Sequence, residues 1–127
     1  IFYLFMLLTL IACDESFNIK SNQNSAPALP EPTPFVTSWK TDNPGTSLAT
    51  QITLPLVNGG SYNFTVDWGD GSESEITAWN DPDATHTYAG AGTYTVSMLG
   101  TFDQFIFNNT GDREKILDIT TWGNNRW

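Results

Sequence analysis

Cysteine is nearly missing from this chain. Its 127 residues include one, Cys13, which excludes an internal disulfide framework and a cysteine-rich zinc site. Positive charge is almost as scarce. Five Lys and Arg against fourteen Asp and Glu leave a formal net charge of −9. That balance argues against nucleic acid as a partner, because phosphate binding needs clustered Lys and Arg. Electrostatic docking on an anionic membrane is disfavoured for the same reason. A single histidine, His86, confines imidazole chemistry to one position. No segment carries a convincing amphipathic helix; the best candidate, DREKILDI at 112–119, is short and β-branched toward its end. The longest apolar run, IFYLFMLLTLIA at 1–12, is shorter than the ~20 residues a membrane-spanning helix needs.

Twelve apolar residues suit the hydrophobic region of a signal peptide. No Met and no basic segment precede Ile1, so the expectation is a signal peptide at 1–12 whose start lies upstream. LIAC at 10–13 resembles the lipobox of bacterial lipoproteins, and the resemblance implies that Cys13 carries the lipid. Acyl chains would then anchor the protein without a transmembrane helix. The acidic DES that follows resembles the surface-export signals of some Gram-negative lipoproteins, which implies a bacterial cell-surface or outer-membrane location. Residues 13–34 continue as a linker rich in Ser, Asn and Pro, with prolines at 27, 30, 32 and 34. That composition buries little and favours an extended, semi-rigid spacer.

From residue 35 the apolar pattern becomes period two, the mark of half-buried strands. FVTSWK at 35–40 alternates. LATQITLPLV at 48–57 places Leu48, Ile52, Leu54 and Leu56 on one face, and YNFTVDW at 62–68 does the same with Tyr62, Phe64, Val66 and Trp68. SEITAW at 74–79 and ATHTY at 84–88 are weaker; TYTVSML at 93–99 points Tyr94, Val96 and Met98 inward, and FDQFIFN at 102–108 follows. About seven short strands between turn clusters predict an all-β, immunoglobulin-like antiparallel β-sandwich over 35–108.

The densest stretch is VDWGDGSESEITAWNDPDATHTYAGAGTYTV at 66–96, with six carboxylates and His86. Asp70-Gly71 supplies a tight hairpin turn, Asp by capping and Gly by taking positive φ freely. Gly90 and Gly92 let the chain reverse, while Tyr88 and Tyr94 offer large rings with polar tips that fasten loops. VDWGDGSE followed by THTYAGAGTYTVSM resembles the signature of the polycystic-kidney-disease (PKD) repeat, an immunoglobulin-like sandwich of extracellular proteins. Trp68, Gly69, Asp70, Gly71, His86, Tyr88, Gly92 and Tyr94 carry the resemblance, which implies that they are structural.

A second resemblance lies in FNNTGDREKILDITTWGNNRW at 107–127, which is similar to the segment joining such domains to leucine-rich repeats in BspA-like bacterial surface proteins. It implies that 109–127 is a connector toward a downstream repeat region. The resemblance further implies a lipid-anchored, non-enzymatic surface protein whose sandwich is a stalk or interaction module in adhesion, with a protein or glycan ligand and no cofactor. The alternative is a carbohydrate-binding accessory module of a secreted polysaccharide-degrading protein, which would use exposed aromatics; Trp39, Trp79 and Trp122 are the candidates.

Two chemical readings of the acids compete with the structural one. Asp67, Asp70, Glu73 and Glu75 are the candidates for a Ca²⁺ site, although their spacing does not match an EF-hand loop. A hydrolase would need a nucleophile held by His86 and oriented by an acid, and no G-x-S-x-G elbow is present. AGAG at 89–92 lies between two strands and is a turn, not a phosphate loop.

Overall fold

The computed structural model describes residues 26–125. The signal segment, Cys13 and the first part of the linker lie outside the described residues; 26–34 carry no regular element and are largely exposed. Seven strands follow: β1 (Phe35–Lys40), β2 (Gln51–Thr53), β3 (Tyr62–Asp67), β4 (Glu73–Ile76), β5 (Thr85–Thr87), β6 (Thr93–Phe102) and β7 (Ile116–Trp122). A single 3₁₀ turn, Pro82–Ala84, precedes β5. All pairings are antiparallel. Five strands form one sheet in the order β4-β3-β6-β1-β7, and β2-β5 form a second, smaller one. The chain is an all-β antiparallel sandwich with unequal layers.

Period-two patterning explains the large sheet. In β3 Tyr62, Phe64 and Val66 are buried while Asn63, Thr65 and Asp67 are exposed, and the buried side chains belong to one hydrophobic core with Phe35, Trp39, Trp68, Met98 and Phe102. β1 buries Phe35, Thr37 and Trp39 on the same side. The buried polar Thr37 is satisfied, accepting the Trp39 indole N–H at 2.7 Å and facing the Val96 carbonyl at 3.3 Å. Trp39 is fully buried. It is therefore core, and the expectation that it serves as an exposed stacking ring is corrected.

The expected strand at 48–57 shortens to Gln51–Thr53. Pro55 has no N–H to continue a ladder, and residues 43–50 turn away, leaving Leu48 68% exposed rather than on the inner face. The expected strand at 102–108 does not form either. Its one ladder-like bond, Ile106 N–H to the Pro55 carbonyl at 2.9 Å, has no reciprocal partner on proline. Phe105 and Phe107 nonetheless drop onto the core as an irregular flap, contacting Phe35 and Trp39.

The largest difference is at the C-terminal side. Residues 116–122, expected within a helix candidate and a connector, form β7, which pairs with β1 from Phe35↔Trp122 to Trp39↔Ile116. The register shifts between Val36 and Thr37 and again between Ser38 and Trp39. Each shift inserts one extra residue, as a β-bulge does. Ile116, Ile119 and Trp122 thus face Trp39, Thr37 and Phe35, a spacing of three that imitates helix periodicity. The sandwich extends to Trp122 and does not stop at 108.

A fragment ending at residue 108 leaves β1 without β7. The expectation is that fragment 26–125 melts in one cooperative transition by circular dichroism and fragment 26–108 does not. A sharp melt of the shorter fragment would show β7 to be dispensable.

Candidate functional site

Two places gather functional chemistry: the turn after β3, and a cleft beside β7. The turn begins at Trp68, whose ring is fully buried and whose indole N–H donates to the Ser74 hydroxyl at 3.0 Å. Its backbone N–H reaches the Ser72 carbonyl at 3.1 Å and closes the loop. Gly69 has φ of +78°, and a Cβ there would lie 2.3 Å from the Thr95 carbonyl oxygen. Only glycine fits, on both counts. Asp67 accepts the Gly69 N–H at 2.9 Å. Asp70 Oδ1 accepts the Ser72 N–H at 3.0 Å and the Ser72 hydroxyl at 2.5 Å.

Across the layers, Asp70 Oδ2 lies 2.8 Å from His86 Nε2. The His86 ring stacks on Trp68 with centroids 4.7 Å apart and an 11° interplanar angle. The edge-on ring of Tyr88 is 4.5 Å away. Tyr88 donates its hydroxyl to the Trp68 carbonyl at 3.0 Å, in the buried core, and stacks on Tyr94 at 3.7 Å. Tyr94 in turn donates to the Gly90 carbonyl at 2.9 Å. Gly92 exchanges hydrogen bonds with Thr41, its N–H to Oγ1 at 2.9 Å and its carbonyl with the Thr41 N–H at 3.0 Å. Trp68, Asp70, His86, Tyr88 and Tyr94 therefore make one connected lock between β3, β5 and β6; Gly69 and Gly71, both at positive φ, shape its turn, and Gly92 ties the 89–92 turn to Thr41.

The same geometry bears on the acid–base reading. A Ser–His–Asp relay places the acid and the nucleophile on opposite imidazole nitrogens. Here Asp70 at 2.8 Å and Ser72 at 3.4 Å both address Nε2, and the Ser72 hydroxyl gives its hydrogen to Asp70. The group is arranged to hold a turn.

The four carboxylates considered for Ca²⁺ do not converge. Asp67 is committed to Gly69 and Asp70 to Ser72 and His86, while Glu73 and Glu75 lie opposite Asp67 and Thr65 on the β3–β4 ladder. Among the described residues, no three Asp, Glu, His or Cys side chains are grouped to hold a metal ion.

Of the second place the sequence offered only Trp122, as a candidate exposed ring; the cleft around it was not legible. Phe35, Phe105, Phe107, Ile116, Ile119 and Trp122 line a cleft of about 340 Å³ between β7 and the 103–110 flap, with Leu117 and Asp118 also on its lining. The small second sheet covers only part of the large one, so this inner face of β7 is left to the flap. Trp122 is 58% exposed and Leu117 51% exposed; Phe35 and Trp122 rings lie 6.0 Å apart. The bulges create the cleft wall by turning every third residue inward, and a search for alternation passes over that pattern. Trp79 is also exposed, but it follows β4 at the opposite edge of the sheet, four strand spacings or ~19 Å away.

Charge in the turn sets a pH dependence. The Ser72 hydroxyl chiefly lowers the Asp70 carboxyl to about 2, against its partial burial and with help from His86. A carboxyl whose folded value lies below its unfolded one stabilises the fold above the unfolded value and loses that contribution as pH falls through the folded value. Asp70→Asn should therefore lower Tm by a few degrees at neutral pH, a gap that persists down to about pH 4 and closes toward pH 2. Melts across that range test this, and a gap unchanged at pH 2 would contradict it.

Against protein-family models, curated proteins and solved structures, the chain shows no match.

Proposed function

We propose that this chain is a lipid-anchored bacterial surface protein, tethered through Cys13, whose PKD-like sandwich is a non-enzymatic interaction module. The observation that carries the reading is the aromatic cleft beside β7. Exposed apolar surface rimmed by a polar group marks a contact site on an otherwise soluble domain, and aromatic anchors in concave settings supply most interface energy. The acid-rich turn, which is the alternative place for chemistry, is committed to hydrogen bonds within the fold.

Chain direction supports an interaction module over an in-line stalk. β1 and β7 are antiparallel neighbours, with the first residue of β1 opposite the last of β7. The approaching and departing segments also run side by side, with the Asn124 N–H on the Thr33 carbonyl at 3.2 Å. A module joined at one end projects sideways and adds little length between its neighbours. Placement of Trp79 and Trp122 at opposite edges supports a compact protein contact over the flat aromatic row that glycan binding would use. The resemblance to BspA-like surface proteins supports adhesion as the setting.

Two measurements test this reading. Trp122→Ala should weaken binding to a responsive extracellular protein about 10-fold or more while changing Tm little, with candidate proteins and polysaccharides screened by surface plasmon resonance. Binding unaffected by the substitution would remove the cleft from the proposal. Cells expressing the full protein should incorporate a fatty-acid label that Cys13→Ser abolishes; equal labelling of the two would remove the anchor.

A further inference from the structure

Asp112 and Lys115 are each only 1% exposed, yet neither belongs to the turn lock or the cleft. The two side chains grip one loop, residues 46–53, by its opposite polarities. Asp112 collects donors: Oδ1 accepts the N–H groups of Thr46 at 2.9 Å and Ser47 at 3.0 Å, and Oδ2 accepts the Thr53 N–H at 2.8 Å. Lys115 collects acceptors. Its Nζ lies 3.1 Å from the Ser47 carbonyl, 2.7 Å from that of Leu48, 2.9 Å from that of Gln51 and 2.6 Å from the Ser47 hydroxyl. The Ser47 hydroxyl is also 2.5 Å from Asp112 Oδ2 and so links the two groups.

Backbone carbonyl oxygens with a carboxylate beside them are also ligands that a hard metal cation takes. Burial works against the Asp112 carboxylate, yet hydrogen bonds from the Ser47 hydroxyl and from the Ser47 and Thr53 backbone, with the Lys115 charge, hold it below its ordinary value. The cage is also fitted closely: a Cβ on Gly45 would lie 2.5 Å from Asp112 Oδ1 and 2.7 Å from Lys115 Cε. Ile52 at the end of the loop is buried in the core, whereas Leu48 faces solvent, so the 46–50 arm is held by its hydrogen bonds to Asp112 and Lys115.

We propose that the 46–53 loop is a cation-binding cage whose resident cation is the Lys115 ammonium, covalently supplied by the chain in place of a metal ion. The ligand class is a primary ammonium. The consequence is a surface module whose loop order, and with it the attachment of β2 to the start of β7, is independent of dissolved Ca²⁺. The sequence places its acids around 67–75, but the cage is formed instead by oxygens of residues 47–51, with Asp112 beside them, around a lysine 40 or more positions along.

The test uses the full chain. Melts of the unaltered protein with chelator and with added CaCl₂ should superimpose; a fall in Tm with chelator would overturn the proposal. Lys115→Met keeps the length of the side chain and removes its charge, and should lower Tm by roughly 15 °C, the consequence of stranding a buried partner. Amides 46–53 should then lose hydrogen-exchange protection before those of β3 and β6. Lys115→Ala should regain part of its lost Tm with propylammonium and none with tetramethylammonium at equal ionic strength; equal effects would show screening alone and overturn the cage. Should the variants fail to fold, nitrogen NMR of the unaltered protein decides. A Lys115 ammonium signal protected from water exchange is expected, and one exchanging as freely as that of exposed Lys40 overturns the proposal.

Discussion

A sheet of two strands, each three residues long, has no stability of its own in water. The second layer of this sandwich is such a sheet, so the fold depends on what holds β2–β5 against the larger one. The Trp68–His86–Tyr88–Tyr94 stack does this at one end. It joins rings from the β3 turn, β5 and β6 into continuous contact and adds the buried hydroxyl-to-carbonyl bond from Tyr88 to Trp68. Burial, with the nearby charge of Asp70, pushes the Tyr88 phenol upward, keeping it a donor. At the other end, Asp112 and Lys115 hold the loop that leads into β2. The small layer is held at both ends, and its hydrophobic contribution comes from few residues, chiefly Ile52 and Leu54.

The incomplete second layer also accounts for the cleft. Five strands cannot be covered by two, and the 103–110 flap fills the gap with a single backbone bond, from Ile106 N–H to the Pro55 carbonyl, which proline cannot reciprocate. Its aromatic side chains pack well against Phe35 and Trp39, but they leave the rim of β7 open. One shortage thus gives both the need for the locks and the surface available to a partner. The neighbouring placement of β1 and β7 then sets how the module is mounted, with its two connections side by side.

Much of this was legible in the residues. Alternation located β1 and β3 to within a residue and the start of β6, which runs three residues past its expected end to Phe102, because one face of each strand is buried and the other wet. The glycine and aspartate at 69–71 announced a turn, since few other residues take those conformations. Tyr88 and Tyr94 were expected as fasteners and make those hydrogen bonds. β7 was not legible: two bulges replace a period of two with a period of three, and strand bulges depend on the partner strand. Trp39 and Trp122 are equally aromatic in the sequence, yet one is core and the other rim. Their neighbours across the sheet decide between them.

The acids show the same division. By itself the sequence determined an all-β, acidic, cysteine-poor domain with a structured turn at 68–73, because patterning and turn chemistry act over a few residues. Tertiary structure alone decided which charges are buried. Asp67, Asp70, Glu73 and Glu75 stand close together in sequence, yet Asp67 and Asp70 are taken up by hydrogen bonds of the turn while Glu73 and Glu75 lie along the exposed face of edge strand β4. Asp112 and Lys115 look like an ordinary exposed pair until residues 46–53 fold over them. Burial and hydrogen-bond satisfaction come from segments some 60 positions distant, and no local pattern carries that information.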